Sequence, residues 1–105
     1  MELIIGTGKT HKLIAKAAAH WLYIVCLNRD EVARVAEEAK KLNLEIPRPL
    51  SFAEFKRSRF SPSGVRGFLI DNADLLLQSM CQGVPLEGIS LTQETQKNAE
   101  TDTQA

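Results

Sequence analysis

Cysteine is scarce in this chain: Cys26 and Cys81 are the only two in 105 residues, and neither belongs to a CxxC pair. That excludes a disulfide-dense secreted scaffold and a cysteine-clustered metal site, so both thiols are expected to be reduced and structural. Long apolar runs are missing as well. No stretch approaches the ~20 residues that span a bilayer, and no basic-then-apolar leader opens the sequence, so the expectation is a cytoplasmic protein that does not engage a membrane. Charge of one sign is also lacking, with 13 basic against 13 acidic side chains. A strongly basic balance, the electrostatic footprint of a nucleic-acid binder, is therefore absent. His11 and His20 have no second ligand at metal spacing and read as polar surface residues.

What is there is an ordinary globular composition, 44% hydrophobic and 25% charged, enough for one core. Apolar residues recur at helical spacing over residues 9–19, then run continuously over 21–27 as a strand buried on both faces would. Asn28 or Asp30 can cap a second helix ending near Leu42. Pro47 and Pro49 force an extended stretch, and Ser51-Phe52-Ala53-Glu54 has capping-box spacing, which starts a short helix at Phe52. Gly67-Phe68-Leu69-Ile70-Asp71 reads as another strand, followed by a helix over 73–80 and a last strand over 88–91. With Glu2-Leu3-Ile4-Ile5 as a first short strand, the alternation predicts an α/β fold with a small parallel sheet of about four strands flanked by helices. The domain is expected to occupy 1–92. Residues 93–105, polar and without an apolar period, are expected to be a disordered tail.

Gly6-Thr7-Gly8-Lys9-Thr10 is the segment that names a chemistry. In a P-loop, backbone N–H groups of a glycine turn and the following helix surround phosphate oxygens, a lysine reaches the terminal phosphates, and the next hydroxyl holds Mg²⁺. Lys9 and Thr10 suit those side-chain roles, and Gly6, Thr7 and Gly8 the backbone one. The full pattern GxxxxGK[ST] needs a glycine where this chain has Leu3. Either the loop is three residues short beside Gly6, the preferred alignment, or Leu3 to Gly6 is itself the loop and almost nothing remains for the first strand. The strand Phe68-Leu69-Ile70 delivers Asp71 to the carboxyl edge of the sheet, the place where open parallel sheets bind ligands, with a carboxylate able to orient Mg²⁺.

These two segments together resemble those of a small P-loop NTPase of the RecA-like or helicase-like division, a compact phage-type ATPase, over residues 2–92. The resemblance implies a three-layer sandwich, ATP and Mg²⁺ as ligands, Lys9 on the phosphates, and Thr10 and Asp71 on the metal. Asn72 departs from it, because many members carry a glutamate there as general base. Asp74 could substitute for that base, or could simply complement the dipole of the following helix. Lys9 and Asp74 are thus the candidate catalytic residues, and slow or partner-dependent hydrolysis is expected. Ser90 or Thr92 could sense the γ-phosphate or be ordinary strand hydroxyls.

Arg48, Lys56, Arg57, Arg59 and Arg66 surround Glu54 and interleave with Phe52, Phe55 and Phe60. They fit a solvated helix face, contacts to nucleic-acid phosphates, or an arginine offered to a neighbouring subunit. Two alternatives therefore accompany the nucleotide reading: an interaction module with a degenerate P-loop, completed by a protein partner or a second copy, and a nucleic-acid-binding accessory protein.

Overall fold

The computed structural model describes residues 1–61 and 63–92; the expected tail lies outside the described residues. The elements run α1 (Lys9–His20), β1 (Tyr23–Cys26), α2 (Arg29–Lys41), β2 (Leu50–Ser51), α3 (Phe52–Lys56), β3 (Phe68–Ile70) and α4 (Ala73–Ser79). The three strands form one parallel sheet in the order β2-β1-β3. Val25 of β1 stands opposite Leu50 on one side and Ile70 on the other.

The local signals explain why each helix starts where it does. Asn28 accepts from the Glu31 amide at the start of α2. At α3 the Ser51 hydroxyl accepts from the Glu54 amide while the Glu54 carboxylate accepts from the Ser51 amide, so two orphan donors are satisfied at once. Those bonds, led by the Ser51 amide, hold the Glu54 carboxyl below the usual range. Trp21 ends α1 in a left-handed conformation, with φ 56°, which turns the chain into β1 and shortens the expected strand to four residues.

Side chains alternate across β1, so its two faces pack differently. Ile24 and Cys26 join Leu13, Ile14 and Ala17 of α1 and Val35 and Ala39 of α2 in the buried core, with Leu69 of β3 against them. On the opposite face the rings of Tyr23, Phe55, Phe60 and Phe68 contact one another, with centroid separations of 5.0–6.1 Å. α2 carries the chain from β1 to β2 on one side, and the connection through α3 carries it back past β1 to β3 on the other. Strand order therefore reverses at β1, and ligands of open α/β sheets settle at the carboxyl edge of such a point.

Two expected strands are not found. Residues 2–5 carry no ladder: Leu3 and Ile5 are exposed, and only Ile4 packs on the core. One inward side chain buries too little surface to offset the ordering of a ladder. Residues 88–91 likewise form no strand, and Ile89 and Leu91 stand in solvent. The sheet thus has three strands rather than about four. As a result the outer edge of β3 is unpaired among the described residues, and Phe68 and Ile70, expected to be buried, are each 42% exposed.

Candidate functional site

The glycine turn brings its own geometry. Gly6 and Gly8 adopt φ 103° and 73°, conformations that side-chain-bearing residues rarely hold, and Gly8 caps α1 with no side chain bonded to the first-turn amides. Those amides and the positive end of the 12-residue α1 dipole face a shallow depression of about 470 Å³. Thr7, Lys9, Thr10 and Arg34 are on its wall.

Lys9 leaves the turn toward the end of β3. Its Nζ donates to Asn72 Oδ1 at 2.8 Å, a contact between residues 63 apart in sequence. Asp71, next to Asn72, is only 3% exposed and donates its amide to the Val25 carbonyl, which extends the β1–β3 pairing past the last ladder residue. Burial pushes its carboxyl above the ordinary aspartate value, opposed by the positive charges of Arg34 and Lys9. The sheet thus brings the glycine turn and the carboxylate together, although they are far apart in the chain.

Arg34 is the residue that sequence reasoning missed. From α2 its guanidinium donates twice to Glu31 Oε1, at 2.9 and 2.6 Å, and once to Thr10 Oγ1 at 3.4 Å, while Nη2 lies 3.6 Å from Asp71 Oδ2. It therefore touches both residues expected to hold a metal. In sequence Arg34 looks like half of an ordinary i,i+3 surface pair with Glu31, and only the packing of α2 against α1 and β1 gives it further neighbours. At the rim His11 and Glu38 hydrogen-bond at 2.8 Å, which lowers the Glu38 carboxyl.

The remaining candidates are placed as follows. Asp74 lies in the first turn of α4 and is exposed. Ser90 and Thr92 are exposed in the segment without a ladder. Arg48, Lys56, Arg57, Arg59 and Arg66 are all exposed; Arg48 pairs with Glu54 at 3.3 Å, and the Lys56 ammonium lies 5.6 Å from the Phe52 ring centre. A second depression of about 510 Å³, between α2 and the loop before β2, includes Trp21, Leu44 and Pro49 in its wall and has no glycine turn. Among the described residues no three His, Cys, Asp or Glu side chains gather as metal ligands, so a cation at Thr10 and Asp71 would take most of its shell from phosphate and water oxygens. No described helix is long and apolar enough to cross a membrane. Compared with protein-family models, curated proteins and solved structures, the chain matches none.

Proposed function

We propose that the depression at the start of α1 binds a nucleoside triphosphate, ATP being the reference ligand, together with Mg²⁺, and hydrolyses it slowly or only with a partner. The observation that carries this reading is the Lys9–Asn72 hydrogen bond, which ties the lysine after the glycine turn to the neighbour of the buried Asp71. Gly6, Thr7 and Gly8 would offer backbone donors to the β-phosphate, and Lys9 would exchange its amide partner for β- and γ-phosphate oxygens.

The donor set suits magnesium: one hydroxyl and one carboxylate are hard oxygen ligands, and both already face a positive charge in the form of Arg34. Bound there, the ion would neutralise charge that develops on the phosphates. Thr10 and Asp71 would hold it or its waters. Asn72 can orient a water but cannot accept its proton, and Asp74, two residues further on and exposed, is the acid left for that role, so proton removal is the weak step.

The test is nucleotide-dependent melting. Mg·ATP at about a hundredfold excess over its Kd should stabilise the folded chain by ~2.7 kcal/mol. Lys9→Ala should lose most of that shift. An unchanged melting temperature for the wild type, or the same rise in the variant, would refute the reading. The second reading, an interaction module, is favoured by the β3 edge, which pairs with no further strand among the described residues and has Phe68 and Ile70 exposed beside it. It would stand if no nucleotide stabilises the chain while sedimentation shows a second copy or a partner bound.

A further inference from the structure

Arg34 has a position that an ordinary surface arginine does not. Its guanidinium reaches the Thr10 hydroxyl with one terminal nitrogen and the buried Asp71 carboxylate with the other. Glu31 tethers it from the same helix, one turn earlier. The side chain is 45% exposed, so it is held by these polar contacts and not locked by packing, and it can be displaced without disturbing the core. A buried ionised carboxylate without a cation is costly, so while Asp71 is ionised a positive charge beside it is favoured.

We propose that Arg34 is a built-in counter-ion that exchanges with the metal: without Mg²⁺ it neutralises Asp71 and meets the incoming phosphates, and when Mg²⁺ arrives it yields Thr10 and Asp71 to the ion. The inference rests on the nucleotide reading above and deepens it, since it makes triphosphate binding partly independent of magnesium. Lys9 cannot do this alone, because its ammonium is a single point charge, whereas the planar guanidinium serves two oxygens at once.

The experiment compares ATP binding by calorimetry in the presence of excess Mg²⁺ and in the presence of a chelator, for the wild type, Arg34→Ala and Arg34→Lys. The quantity read is the ratio of the two dissociation constants. For the wild type the ratio is small, because the guanidinium stands in for the metal. Arg34→Ala should widen it by up to about fivefold, the equivalent of one part-exposed charge pair, through weaker binding in chelator and little change with Mg²⁺. Arg34→Lys, which retains the charge without the fork, should fall between. An unchanged ratio, or equal weakening in both buffers, would overturn the exchange while leaving the nucleotide site in place. Absence of ATP binding by the wild type in either buffer would instead remove the nucleotide reading and this inference with it.

Discussion

Gly8→Ala separates backbone strain from packing at the mouth of the site. Gly8 holds φ 73° and ψ 17°, inside the left-handed region, and a Cβ built there meets nothing within 4 Å. The steric cost against neighbours is therefore nil, and the whole penalty is the backbone one, about 1–2 kcal/mol for an L-residue in that region. Against a total stability of about 5–15 kcal/mol for a small domain, this is measurable without unfolding the protein. In urea, with a slope of about 1–3 kcal/mol per molar, the midpoint should fall by about 0.3–2 M at unchanged slope. Gly8→Asn should cost less, since asparagine tolerates the left-handed region and can cap a helix. Gly88 supplies the control: it too has open space around it but no positive φ, so alanine there should move the midpoint very little. Equal costs at the two glycines, or an asparagine worse than alanine at position 8, would show that the turn is not held as described.

Two further outcomes follow from burial. Because the folded chain raises the Asp71 pKa, protonation of that group favours folding at acidic pH, and the advantage is lost as pH rises through the raised value. Asp71→Asn should therefore gain melting temperature relative to wild type as the pH rises above the ordinary aspartate range, while losing the magnesium contribution to ATP binding; a difference that shrinks with rising pH would contradict the sign. Burial, with help from Asp71 and Glu31, also pushes the Cys26 thiol up to about 12. Iodoacetamide at mildly alkaline pH should alkylate the part-exposed Cys81 first and Cys26 only through global opening, as peptide mass mapping would show; equal rates would place Cys26 at the surface.

The parts of this molecule that were readable from sequence are those whose cause is local. The Ser51-to-Glu54 spacing and the Asn28 cap each depend on bonds within one turn, and both appear in the structure where the residues imply them. The two terminal strands were misread for the opposite reason. An apolar run such as Leu3-Ile4-Ile5 or Ile89-Ser90-Leu91 says that a ladder would suit the side chains, but not whether a strand edge lies within reach or whether enough surface would be covered there. At the site, Gly6 to Thr10 and Asp71 could be named individually from their types and spacing. That Lys9 meets Asn72, 63 residues on and beside Asp71, depends on β3 lying beside β1, and the part played by Arg34 depends on how α2 packs, neither of which a spacing can express.

Every hydrogen-bonded route from one side of the sheet to the other passes through β1, and Val25 alone faces a partner on both sides. Losing the pairings of β1 would leave the α3 side joined to the carboxylate side chiefly by the ring contacts of Phe55 and Phe60 with Phe68. Amides of Ile24 and Val25 should accordingly be the last to exchange with deuterium, whereas the unshielded flank of β3 gives up its protons early.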